Sequence, residues 1–162
     1  MTKVPHYTGD DWEDPLSNYE PPEYDDVLEE ALAEHSVANI RSKPYAEIPP
    51  DKTIYEALQA LTGLGVASLL VVEDGRLVGV FTERDVLEKV ATRFDEIKEL
   101  PVREVMTKDP IVVYETDPVA TALGAIAAAG YRHVPVLDLE ENVVGVISTR
   151  RLFAFLQEHF EC

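Results

Sequence analysis

Residues 79–86 read GVFTERDV, and residues 145–152 read GVISTRRL. The glycine, the apolar pair and the small hydroxyl residue return in order, while Asp85 of the first stretch becomes Arg151 in the second. Upstream, Ile54, Ala57, Leu58 and Leu61 lie at i, i+3, i+4 and i+7, and Val119, Ala122, Leu123 and Ile126 repeat that spacing 65 positions later. Each set is the buried stripe of an amphipathic helix. Thr53 with Glu56 forms a capping-box pattern for the first helix. Asp117 followed by Pro118 reads as N-cap and first turn of the second. Both stop at glycine, Gly65 and Gly130.

After each helix comes an apolar strand, LLVV at 69–72 and VPVL at 134–137, then a turn, EDG at 73–75 and DLEEN at 138–142. A second strand follows at 76–81 and 143–148, then a second helix at 83–92 and 149–159, and one more strand precedes each unit near 45–48 and 111–114. The chain therefore predicts an α+β fold of two β-α-β-β-α repeats. A unit of about 55 residues is marginal alone, so the two are expected to pack sheet to sheet with pseudo-twofold symmetry, making two related clefts. The expected division is an acidic extension over 1–36, repeat 1 over 37–93, and a linker with repeat 2 over 94–162.

Charge narrows the function. The 162 residues carry a formal net charge of −17. Residues 1–36 hold eleven acids and one base, and the remainder twenty acids and thirteen bases. Such a chain repels a phosphate backbone, so nucleic acid is not an expected partner. Residues 1–24 are rich in acids, proline and tyrosine, and predict a disordered or loosely docked tail. A short helix is expected over 24–35, capped by Asp25 or Asp26. No apolar run reaches the roughly 18 residues of a membrane span. Cys162 is the only cysteine, so no disulfide framework forms within one chain. With no apolar leader at the start, the expected location is cytoplasmic. The four histidines, His6, His35, His133 and His159, lack metal-site spacing, and no phosphate loop or nucleophile elbow occurs, so no enzyme is expected.

The stretches LPVREVMTKDPIVV and DPVATALGAIAAAGYRHVPVLD, with the two glycine-led elements, resemble a tandem pair of cystathionine β-synthase (CBS) domains over residues 37–160. The resemblance implies a non-catalytic module that senses an adenosine nucleotide (AMP, ADP, ATP or S-adenosylmethionine), with no obligatory cofactor. It implies a homodimer that signals to a regulated protein the sequence does not name. It places the ribose contact on Thr82 and Asp85. A carboxylate can accept from both hydroxyls of a diol, although Thr-x-x-Asp is equally an N-cap with an acid at its third position. It places phosphate on Arg132 and His133, whose other reading is a solvated strand end. It draws the adenine slot from Ser42, Tyr45, Ala46 and Glu47, with Val80 either a wall of that slot or ordinary sheet core. The second cleft would hold Ser148, Arg151, Ala67 and Ser68. A guanidinium has no acceptor for a diol, so that cleft is empty, or Arg151 meets a phosphate or an acid. The competing expectation is a ligand-free dimerisation scaffold.

Overall fold

The computed structural model describes residues 19–41, 43 and 45–160. The tail expected over 1–24 therefore falls mostly outside the described residues, as do Ser42 and Cys162. The described chain opens with helix α1 (Val27–Glu34), capped by the Asp26 carboxylate, which accepts from the Glu29 N–H at 2.8 Å. Repeat 1 supplies β1 (Glu47–Ile48), α2 (Ile54–Leu64), β2 (Ser68–Glu73) and β3 (Arg76–Thr82). Repeat 2 supplies β5 (Val113–Tyr114), α5 (Val119–Ala129), β6 (His133–Leu137), β7 (Val143–Ser148) and α6 (Thr149–Phe160). Between them lie α3 (Glu83–Asp85), α4 (Phe94–Ile97) and β4 (Thr107–Lys108).

Local chemistry accounts for most boundaries. Thr53 and Glu56 cap α2 reciprocally, and Gly65 ends it at φ 62° in the left-handed region that favours glycine. Asp74 and Gly75 are both at positive φ, and Glu73 pairs with Arg76, so β2 and β3 join through a two-residue turn. The β6–β7 loop is longer and is tied by the Asp138 carboxylate, which accepts from the Asn142 backbone at 2.8 Å. Two expectations are corrected. Asp117 does not cap α5; its carboxylate accepts from the Tyr114 N–H at 2.8 Å, and Pro118 occupies the cap position. The helix expected over 83–92 is not uniform either. After α3 it widens into a π turn at Val86–Val90, tightens at Ala91–Arg93, and runs on into α4 through the segment read as linker.

Each sheet is completed across the repeat boundary or braced from it. The first has the order β1-β2-β3-β4, with β1 parallel to β2 and the others antiparallel. β4 lies just before repeat 2, yet it pairs with repeat 1, Val80 with Thr107 and Gly79 with Lys108. The second sheet has the order β5-β6-β7. Arg41, in the opening segment of repeat 1, lies against strand β7 of that sheet and donates to the Val144 carbonyl at 2.6 Å. The first N–H of α2 and of α5 is taken the same way. Ile54 donates to the Leu100 carbonyl at 2.9 Å, and Val119 donates to the His35 carbonyl at 2.8 Å. The opening segments of the two repeats are thus exchanged. Val102 and Val105 are buried in the core of repeat 1, and Val37 and Ile40 in that of repeat 2.

A third, smaller cluster of Leu70, Val80 and Val146 joins the facing sheets, with Tyr45 packed against it and donating to the Val143 carbonyl at 2.9 Å. Helix α1 buries Ala31 against α5 and α6, so part of the outer helical face is covered within the chain.

Gly79 marks the tightest point of the exchange. A Cβ there would stand 2.8 Å from the Thr107 carbonyl oxygen and 2.6 Å from Met106 Sδ. Gly79→Ala is expected to destabilise by about 1–3 kcal/mol, the usual range for overpacking. Gly63→Ala, in α2 with open space around it, should stabilise by about 0.5–1 kcal/mol. Urea midpoints check both, and an unchanged midpoint for Gly79→Ala would contradict the tight crossing of β3 and β4.

Candidate functional site

The exchange leaves a groove at the end of β3. Its floor and walls are apolar, from Val80, Leu87, Pro110, Ile111 and Pro135. Thr82 at the last position of β3 sits on one side with Glu83 and Arg84, and Tyr131, Arg132 and His133 enter from the other. The volume is about 420 Å³, within the range of small-molecule sites. The structure thus brings Thr82 together with Arg132 and His133. Two repeats are needed to do this, because β3 belongs to one and β6 to the other.

Asp85 behaves differently. It is 4 % exposed and does not line this groove. Its Oδ2 accepts from the Thr82 N–H and the Thr82 hydroxyl, both at 2.9 Å. Its Oδ1 accepts from Lys89 Nζ at 2.6 Å and from the Thr107 hydroxyl at 2.9 Å. The carboxylate caps α3 and also ties it to the opening segment of repeat 2. No sequence signal distinguished Lys89 and Thr107, since the first lies in a charged helix and the second just ahead of the strand expected near 111–114.

Of the residues drawn for the adenine slot, 42–47, none of those described lines this groove. Tyr45 and Ala46 line a second groove with Gly65, Val66, Ala67, Ser68, Leu70, His133, Val146 and Ser148, of about 360 Å³. Glu47 is exposed on β1 and lines neither groove, and Ser42 lies outside the described residues. The reason is strand order. β1 sits on the far edge of β2, so the opening segment beside Thr82 is Thr107–Ile111 and not 42–47. Ser148, Ala67 and Ser68 do meet in the second groove. Arg151 does not line it; its backbone N–H donates to the Ser148 hydroxyl at 3.2 Å.

His133 and Ala67 face both grooves. Burial pushes the His133 imidazole below its ordinary range, the Arg132 guanidinium pushes it further, and Glu83 opposes both. In the unliganded protein at neutral pH, Arg132 and Arg84 therefore carry the groove's positive charge, and Arg84 is also paired with Glu88 at 2.8 Å. Among the described residues, no three His, Cys, Asp or Glu side chains gather to hold a metal, and no helix is long and apolar enough to cross a membrane.

Fold and grooves together define a duplicated α+β module with paired sites between its repeats. The chain belongs to the CBS domain family, whose profile matches residues 37–92 and again 102–158. An uncharacterised 17.7 kDa protein of Acidianus ambivalens is 32 % identical over 117 residues, covering 72 % of this chain and 70 % of that one. The CBS domain-containing protein CBSCBSPB5 of Arabidopsis thaliana is 30 % identical over 115 residues, covering 70 % of this chain but only 21 % of the plant protein. Among solved structures, a CBS domain protein of Pyrobaculum aerophilum complexed with AMP is 31 % identical, with a TM-score of 0.68 over 76 % of this chain and 97 % of that one.

The depressed His133 gives a testable pH dependence. The unfolded chain binds a proton near the ordinary value of 6.5, and the folded chain binds it only at lower pH. Between those two values the unfolded state holds more protons, so stability rises with pH. This contribution is fully present above about 6.5 and is lost as pH falls toward the depressed value. Urea midpoints from pH 5 to 7.5 should fall less steeply on acidification for His133→Gln than for the parent. Parallel curves would rule out a buried, proton-poor His133.

Proposed function

We propose that this chain is a non-catalytic sensor that holds one adenosine nucleotide in the groove of Thr82, Arg132 and His133 and passes its occupancy to a regulated protein. The carrying observation is the convergence of Arg132 and His133 from repeat 2 and Thr82 from repeat 1 on one largely apolar slot. An adenine ring needs apolar walls, which Val80, Ile111 and Pro135 supply. A phosphate needs local cations, the more so on a chain of net charge −17. The AMP bound to the Pyrobaculum relative supports the same ligand class.

Glu83 shares the rim. Each further phosphate adds repulsion from it and from the acidic chain, so affinity is expected to fall from AMP to ADP to ATP. S-adenosylmethionine offers no phosphate to Arg132 and is expected to bind more weakly than AMP. The second groove, where Ser148 stands for Thr82 and Arg151 for Asp85, is expected to bind adenosine compounds weakly or not at all.

We further infer a homodimer formed through the helical faces that α1 leaves open, where Leu64, Leu87 and Phe153 are exposed. Such an interface buries on the order of 1,200–2,000 Å² in total. Light scattering at micromolar concentration should then give twice the 18.1 kDa chain mass, and a stable monomer would exclude it.

Calorimetry and thermal shift test the ligand. AMP at 100 times its dissociation constant should add about 2.7 kcal/mol of apparent stability. Arg132→Ala should weaken AMP by roughly 10- to 100-fold, as expected for a charge-assisted phosphate contact, and leave adenosine binding unchanged. Equal AMP affinity in Arg132→Ala and the parent would remove the phosphate assignment. A chain that no adenosine compound stabilises would instead be the dimerisation scaffold.

A further inference from the structure

We propose that His35 and His159 form a binding site for a divalent transition-metal ion that fastens helix α1 to helix α6. Neither residue lines either groove, so the site is independent of the nucleotide reading. His35 ends α1, and His159 lies in the last turn of α6. They stand near opposite ends of the chain, yet their ring centroids come within 5.4 Å of each other.

Both imidazoles are held in the form a metal needs. His35 Nδ1 lies 3.1 Å from the Ala31 carbonyl oxygen, and His159 Nδ1 lies 2.8 Å from the Phe155 carbonyl oxygen. A carbonyl oxygen only accepts, so each Nδ1 carries the proton and donates it. In the neutral ring the lone pair is then on Nε2. One ring N–H given to a backbone carbonyl is the usual support of a metal-ligating histidine, because it fixes the tautomer and the orientation of the ring.

The spacing suits a shared ion. A zinc–imidazole bond of about 2.0–2.1 Å places the centroids of two rings on one metal roughly 4.5–6 Å apart, according to the angle at the metal. The observed 5.4 Å falls inside that range, and the planes are inclined at 65°, so the two rings are not stacked face to face. Phe155 backs both of them. It is buried, with its ring 4.4 Å from His159 and 5.4 Å from His35. His35 is exposed and His159 half-buried, so an ion reaches them from solvent.

Neutral nitrogen ligands select zinc, copper or nickel over magnesium and calcium, which take oxygen. Two imidazoles leave the other coordination positions to water, so the site is open. The net charge of −17 favours any cation at the surface. What the ion would add is a clamp. Ala31 is the one fully buried residue of α1, and a metal held by one ligand from α1 and one from α6 ties that helix to repeat 2.

The test is isothermal calorimetry with zinc chloride on the full chain carrying Cys162→Ser, without a histidine tag. The substitution removes the thiol, which would itself compete for zinc. This parent should bind one zinc ion per chain and melt at a higher temperature with zinc but not with magnesium. His35→Gln and His159→Gln should each weaken zinc by more than about tenfold. The double variant should be little weaker than either single one, because losing one ligand already dismantles the site. Melts without metal establish that each variant is folded. His35→Phe keeps a ring against Phe155 without a ligand nitrogen. It should lose zinc equally, and it serves if the glutamine variant does not melt cooperatively. A parent that binds no zinc overturns the proposal. So does a zinc affinity within tenfold of the parent in either single variant, which would place the ion elsewhere.

Discussion

The exchange of opening segments is the constraint on which the rest of the structure depends. The first N–H of a helix has no partner within the helix itself. Here Ile54 and Val119 each find one on a carbonyl that belongs to the run-in of the other repeat, Leu100 and His35. The same run-ins then drive valines into the opposite core, Val102 and Val105 on one side, Val37 on the other. A repeat of this size buries too little surface to stand alone. By lending its leading segment to its neighbour, each repeat makes the two fold as one unit.

The glycines at 79 and 145 follow from that exchange. Gly79 lets the backbone of Thr107 lie against β3, and Gly145 lets the stem of Arg41 lie against β7, with Cβ–Cβ separation of 3.1 Å if alanine stood there. The repeated glycine-led element is thus the seat for the lent segment. Its third and sixth residues beyond the glycine, Thr82 and Asp85, come to the end of β3 because they follow that seat directly. In repeat 1 both serve the helix cap, and Thr82 also lines the groove.

The electrostatics are local against an opposing background. A chain this acidic disfavours anions at long range, yet the groove gathers Arg84, Arg132 and His133 within reach of one another. Burial and the neighbouring Arg132 lower the proton affinity of His133. The one buried acid beside the groove, Asp85, is neutralised by Lys89 and so adds little repulsion of its own. That arrangement keeps a groove lined by basic side chains on a strongly negative protein.

Much of this was legible in the sequence. The two helical stripes 65 residues apart, the Asp74-Gly75 turn, the terminating Gly65 and Gly130, and the order of strands are local properties, fixed by periodicity and turn chemistry, and they define the duplicated α+β fold. The pairing of Thr82 with Arg132 and His133 across the repeats was an implication of the family resemblance, and the structure does bring the three to one groove. What the sequence left undecided was which segment crosses to which repeat. Tyr45 and Ala46 precede repeat 1 in the chain, but β1 lies on the edge of its sheet away from Thr82, so they line the other groove. The fate of Asp85 was equally hidden. A Thr-x-x-Asp pattern is the same whether the acid faces a ligand or is filled from within. Only the tertiary structure, by bringing Lys89 through a π turn and Thr107 through an exchanged strand onto one carboxylate, decides that its acceptors are spent inside the protein.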